Sequence, residues 1–122
     1  MGLTPAALRR IPLGMSAPDT LARLAATIAA RRTADPAISW VAKLHARGLP
    51  VIARKLGEEA VETITAALAG SREELVGEAA DTIFHLLVLL DAKGIAVEEV
   101  LAELDRREGT SGIAEKAARK AD

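Results

Sequence analysis

One segment limits the fold of this chain more than any other. Ser71-Arg72-Glu73-Glu74 has the pattern of a helix start, with a serine at the N-cap and a glutamate three residues on. The helix it opens runs to about Lys93, with Gly94 placed to end it. Its second half (Ile83, Phe84, Leu86, Leu87, Val88, Leu89, Leu90) is apolar on every side, broken only by His85. That run is well short of the roughly 18 residues a membrane span requires. A helix apolar all round has to be covered by protein on every face. The remainder of a 122-residue chain is too small to do this alone. The segment therefore predicts an all-α bundle completed by oligomerisation.

The other segments agree with helix. Aromatic residues make up only 2% of the chain, Trp40 and Phe84 with no Tyr, which disfavours sheets. Asp19 is a candidate N-cap, and Leu21, Leu24, Ala25 and Ile28 then follow helical spacing towards an end near Arg31–Arg32. Thr33-Ala34-Asp35-Pro36 breaks this helix. Ser39 is placed to cap a short helix through Ala46, stopped by Gly48. Pro50 suits the first position of a helix to about Ala69, with Ile52, Leu56, Ala60, Ile64 and Ala67 as its inward stripe. A last helix is expected over Val97 to Arg107, with Val100, Leu101 and Leu104 inward. The polar, basic segment after Gly109 predicts no more than one further turn. Residues 1–18 carry three Pro and two Gly and no period, and read as a flexible extension. Residues 19–122 then form one domain of four to five helices.

Composition closes several routes to function. The chain has no Cys, which excludes a disulfide scaffold, a thiolate metal site and a cysteine nucleophile. Arg9 and Arg10 are followed by no apolar stretch of signal-peptide type, so a soluble cytoplasmic protein is expected. The net charge of −1 hides an asymmetry: nine Lys/Arg against two Asp/Glu up to Gly57, and seven against fifteen from Glu58 onward. Two oppositely charged halves attract on folding, and they also suit a division in which acids hold a cation and bases hold an anionic ligand. A nucleic-acid module calls for a basic surplus and stacking aromatics, and the chain has neither.

The acids are where the chemistry concentrates. Lys55-Leu-Gly-Glu58-Glu59-Ala-Val-Glu62 lies on one predicted helix, and Glu78-Ala-Ala-Asp81, with His85 a turn further on, lies on the next. Three residues advance a helix by about 300°, so Glu59 and Glu62 share a face, as do Glu78 and Asp81. About two residues join the helices, so they are expected to be antiparallel neighbours whose acid pairs meet across the groove. Acids at the mouth of a core helix are costly to bury unless something neutralises them. A hard divalent cation such as Mg²⁺ does this with oxygen ligands, whereas two histidines and no cysteine make poor provision for zinc. The alternative is a solvated acidic face in which Lys55 pairs with Glu59, with His85 a core histidine satisfied by a nearby acid.

Glu59-x-x-Glu62 followed by Glu78-x-x-Asp81 resembles the metal motif of the all-α, MazG-like nucleoside triphosphate pyrophosphohydrolases. KLGEEAVE at 55–62, REELVGEAADTIFHLLVLL at 72–90 and the GTSG…EK…RK tail resemble one branch, the phosphoribosyl-ATP pyrophosphohydrolase family of histidine biosynthesis. The likeness covers roughly residues 19 to 120. It implies Mg²⁺-dependent hydrolysis of the α–β phosphoanhydride of phosphoribosyl-ATP to phosphoribosyl-AMP and pyrophosphate, in a homodimer or larger assembly. It implies Glu59, Glu62, Glu78 and Asp81 as metal ligands. Glu58 or Glu62, by position, is then available to orient or deprotonate the attacking water. Lys43, Arg47, Lys55, Arg107 and Lys116 are the bases set apart for substrate phosphates, with Arg54 and Arg119 beside them; Trp40 reads either as a stacking surface for adenine or as core. Two further readings remain: a pyrophosphatase acting on other nucleoside triphosphates, and a non-catalytic helical oligomerisation module.

Overall fold

The computed structural model describes residues 17–121, which form six helices and no strand among them. They are α1 (Ala17–Arg31), α2 (Trp40–Arg47), α3 (Leu49–Ala69), α4 (Arg72–Ala92), α5 (Val97–Arg107) and α6 (Gly112–Ala121). The extension read over residues 1–18 lies outside the described residues up to position 16. Helix α1 already includes Ala17 and Pro18, so Asp19 sits in its first turn instead of capping it. Proline is tolerated there because first-turn N–H groups have no acceptor within the helix.

Local chemistry sets the other boundaries. Ser39 accepts from the N–H of Ala42 and Ser71 from the N–H of Glu74, so both predicted N-caps are made. Gly48 alone separates α2 from α3, at φ 97°, a conformation that side-chain-bearing residues rarely adopt. Gly94, at φ 69°, ends α4 as expected. At the start of α5, the carboxylate of Glu99 accepts from the N–H of Ala96.

Gly70 and Ser71 fold α3 and α4 into an antiparallel hairpin, the main packing interaction of the chain. The core gathers at one end of it, where Ile28 of α1, Val41 and Leu44 of α2, Ile52 of α3, Leu87 and Val88 of α4 and Val97 of α5 are buried together. Burying a side chain of this size contributes about 1.5–3 kcal/mol. Arg32, just after α1, grips Asp91 at the end of α4 with two hydrogen bonds of 2.9 and 2.6 Å, and His45 Nε2 approaches the same carboxylate at 3.2 Å. These contacts tie α1 and α2 to the far end of the hairpin. No helix among the described residues is long and apolar enough to cross a membrane.

Three expectations are corrected. On α5, Leu104 does not face inward: it lies a turn beyond the core contacts of Val97 and Leu101 and is 56% exposed. The inward stripe of α3 does not reach Ile64, which is 59% exposed, nor Ala67; Ala66 is buried instead. Steps of four residues overshoot a helical turn by about 40° each, so twelve residues from Ile52 carry Ile64 about 120° off the buried face. Fourteen residues bring Ala66 back to within about 40° of it. The tail is also more ordered than one turn. Ser111 accepts from the N–H of Ala114 to start α6, and Glu115, only 6% exposed, accepts from Arg106 at 2.6 Å. An ion pair between the buried carboxylate of Glu115 and the exposed Arg106 holds this helix to α5.

Candidate active site

The face of α3 that meets α4 carries more than apolar side chains. Glu59 lies seven residues beyond Ile52, within about 20° of the same direction, and is half-buried. Glu78 of α4 is half-buried as well, while Glu62 and Asp81 stand exposed at the groove edge. Glu59, Glu78 and Asp81 each present an oxygen within 4.8 Å of the others. Glu62 is outside that group of three but adjoins it, close enough to share a proton with Glu78 and with Glu59. The four acids of the sequence motif thus come together. Glu58 does not join them. It is exposed and flanked by Arg54 at 3.5 Å and Lys55 at 3.4 Å, so Lys55 pairs with Glu58 and not with Glu59.

This crowding has an electrostatic cost. Oε2 of Glu59 and Oε2 of Glu78 are buried acceptors with no hydrogen-bond donor. Ionised carboxylates only accept, so these oxygens are satisfied by a proton shared between acids or by a cation. Without a cation, the Glu78 carboxyl is pushed up to about 7, first by a hydrogen bond to Glu62, then by burial and a second bond to Glu59. Burial, followed by the charge of Glu62, raises Glu59 in the same direction. Three converging carboxylates, two of which also carry an orphaned buried oxygen, fit a divalent cation of the Mg²⁺ type.

Two braces stand behind the acids, and the first escaped the sequence reading. Thr63 Oγ1 and Thr82 Oγ1 meet at 2.8 Å across the helix pair, and each reaches back to the carbonyl of an acid four residues earlier, Glu59 at 2.8 Å and Glu78 at 3.0 Å. The signal was present: a threonine follows each first acid by four residues, in two segments that otherwise match. His85 forms the second brace. It is buried, and the Asp81 backbone carbonyl accepts from its Nδ1–H at 2.8 Å while its Nε2 accepts from the Trp40 indole at 3.4 Å. The tautomer with hydrogen on Nδ1 satisfies both contacts. His85 is therefore the satisfied core histidine of the sequence reading, with a backbone carbonyl in place of an acid side chain.

The bases divide into two groups. Lys55 stands one turn before Glu59 on α3, beside Glu58 and over the Trp40 ring. Lys43 is half-buried and Arg47 exposed on α2, which packs against α3. Arg107 pairs with Glu103 at 3.0 Å and lies 3.9 Å from Glu115; Arg119 is 3.8 Å from Glu115, and Lys116 is exposed on the same helix. The polar contacts of Arg107 and Arg119 are thus with acids of α5 and α6, not with those of the α3–α4 groove. A separate hollow around Ala25, Arg32 and Asp91, at the other end of α4, contains none of the candidate ligands.

Comparison with known proteins bears on this geometry. The profile of a family described as "Phosphoribosyl-ATP pyrophosphohydrolase" matches residues 21–108. A protein of Erythrobacter litoralis named "Phosphoribosyl-ATP pyrophosphatase" is 68% identical over 101 residues, which is 83% of this chain and 97% of the relative. Proteins of the same name from Novosphingobium aromaticivorans (69% over 101 residues, 83% and 94%) and Rhodobacter capsulatus (62% over 99 residues, 81% and 96%) are similarly close.

Proposed function

The chain belongs to the phosphoribosyl-ATP pyrophosphohydrolase family, and on that premise we propose that it hydrolyses phosphoribosyl-ATP at the α–β phosphoanhydride, yielding phosphoribosyl-AMP and pyrophosphate. It is a hydrolase of histidine biosynthesis. The observation that carries the reading is the set of converging carboxylates, with its two donorless buried oxygens, in the groove between α3 and α4.

Mg²⁺ is the proposed cofactor, held by Glu59, Glu78 and Asp81, with Glu62 beside them. When bound, such an ion neutralises charge on the phosphate oxygens, and charge neutralisation together with positioning makes up most of phosphoryl-transfer catalysis. The residues supply the rest. Glu62, the acid of the groove outside the group of three, is the proposed proton acceptor for the attacking water; Glu58, already engaged by Arg54 and Lys55, is proposed to orient the bases. Lys55, one turn before Glu59 on α3, is the first proposed phosphate-binding base. Lys43 and Arg47 are proposed to extend that surface along α2, and Arg107 and Lys116 to contribute from the tail.

A second copy of the chain is the proposed partner. Val61, Ile64 and Leu68 of α3 and Val76, Ile83 and Leu86 of α4 are exposed apolar side chains on the hairpin that bears the site. A membrane-impermeant, multiply phosphorylated substrate also supports a place in the cytoplasm.

Pyrophosphate release measured side by side on phosphoribosyl-ATP, ATP and deoxynucleoside triphosphates tests the reading. Release from phosphoribosyl-ATP alone is the expected result. Release from the ordinary triphosphates instead would assign the chain to a housecleaning role, and release from none would leave a helical assembly module.

A further inference from the structure

The only tryptophan of the chain touches both acid-bearing helices, α4 through His85 and α3 through Lys55. Trp40 opens α2 and is 41% exposed. Its Nε1–H donates to His85 Nε2, and the two rings meet edge to face with centroids 6.4 Å apart. His85 is itself immobilised by Asp81's carbonyl and by an edge-on contact with Phe84 at 5.2 Å. The indole therefore takes its orientation from the turn that carries Asp81. Its ring in turn carries Lys55, whose Nζ lies 5.9 Å from the centroid and 3.4 Å from Glu58. A lysine on a four-carbon stem ordinarily spreads its charge over many positions. This one is held from two sides, with 28% of its side chain exposed.

We propose that Trp40 is a positioning residue: through His85 it registers Lys55 against the Asp81 turn, so that a substrate phosphate meets an ammonium already placed relative to the acids. The inference deepens the functional reading and rests on Lys55 as a phosphate-binding base. The arrangement is also made to yield. A half-exposed cation–π contact is weak, whereas a phosphate oxygen offers the ammonium a full opposite charge. Binding of the pyrophosphate group draws Lys55 off the ring, and product release returns it.

A tryptophan serving only as packing would not respond to Lys55, and the single indole makes the difference measurable. Inorganic pyrophosphate with Mg²⁺ is titrated into the full chain, as wild type and as Lys55→Met, and tryptophan emission is followed. The ligand-free emission of the two proteins differs, and pyrophosphate moves the wild type towards the Lys55→Met spectrum while leaving the variant unchanged. Equal ligand-free emission, or equal responses including none, overturns the proposal. Kinetics with phosphoribosyl-ATP give a second readout. Trp40→Phe keeps a ring face for Lys55 and Trp40→Leu removes it, so KM is roughly two- to five-fold higher for Trp40→Leu than for Trp40→Phe, with kcat changed less. Matching KM values overturn the proposal as well. If the wild type releases no pyrophosphate from phosphoribosyl-ATP, the functional reading fails, while the ligand-free emission still decides whether Trp40 holds Lys55.

Discussion

The hydroxyls of Thr63 and Thr82 touch at 2.8 Å, and each also lies within hydrogen-bond distance of a carbonyl on its own helix. Two hydroxyl protons cannot serve three such contacts at once. The shortest pair has Thr82 donating to Thr63, and Thr63 donating to the Glu59 carbonyl. In an antiparallel hairpin this bridge stands between the turn of Glu59 and the turn of Glu78, and so sets the spacing of the two acid pairs. Thr63→Val keeps the shape and removes the donor. It is expected to cost about 0.5–1.5 kcal/mol of stability and about 10- to 100-fold in turnover, as for other groups that orient metal ligands. Thr63→Ser restores most of the activity. Denaturation curves and kinetics on the three proteins check this, and a Val variant as active as the Ser variant would remove the bridge from the account.

Glu78→Gln preserves shape and hydrogen-bonding capacity but takes away one of the converging charges. Because groups outside the ligand set already cost about 10- to 100-fold, a larger loss of Mg²⁺-dependent turnover is expected here, with helical circular dichroism unchanged. Turnover within a few-fold of wild type would exclude Glu78 as a ligand.

The acid cluster predicts an unusual pH dependence for the metal-free protein. A carboxyl raised from 4.5 to about 7 holds its proton more tightly in the folded state. The stability it contributes is complete below pH 4.5 and is lost as pH rises through 7. The shift of Glu59 has the same sign. Glu103, held down to about 2 by Arg106 and Arg107, acts oppositely: its contribution is complete above pH 4.5 and is lost as pH falls from there through about 2. In EDTA, the melting temperature is therefore expected to fall between pH 4.5 and pH 7, and Mg²⁺ at pH 7.5 to restore it. At a hundred times its dissociation constant, a ligand of this kind adds about 2.7 kcal/mol. A metal-free melting temperature that is flat or rising over that window would contradict the charge crowding inferred for the groove.

Leu87 and Ile83 share an apolar run, yet one is buried within the chain and the other is 45% exposed. Leu87→Ala is expected to cost about 2–5 kcal/mol of fold stability. Ile83→Asp is expected to leave the single chain folded and to lower its mass in solution. Light scattering and thermal melts separate the two effects, and an Ile83→Asp protein of unaltered assembly mass would show that this face is not the contact between copies.

Much of this was legible in the sequence because it is written in local chemistry. Ser39, Gly48, Ser71 and Gly94 carry their capping roles in their own side chains or backbone freedom, so the helix ends follow from nearest neighbours. The acid pairs could be read because helical spacing and a two-residue link bring them together. Three features depended on distant partners and stayed hidden. Glu115 is a surface-type residue until Arg106 and its neighbours enclose it, which is why α6 looked like a polar tail. Ile64 belongs to a four-residue repeat that drifts off the buried face, and its exposure appears only when the hairpin is built. The threonine bridge needs two side chains nineteen positions apart, each unremarked alone.

The central claim is that the α3–α4 groove hydrolyses phosphoribosyl-ATP with a divalent cation held by its acids. The most direct measurement is pyrophosphate release from phosphoribosyl-ATP by the full chain in Mg²⁺ and in excess EDTA. Release in Mg²⁺ that disappears in EDTA and returns on adding excess Mg²⁺ is the predicted result. Release that persists in EDTA, or none in Mg²⁺, would contradict the account.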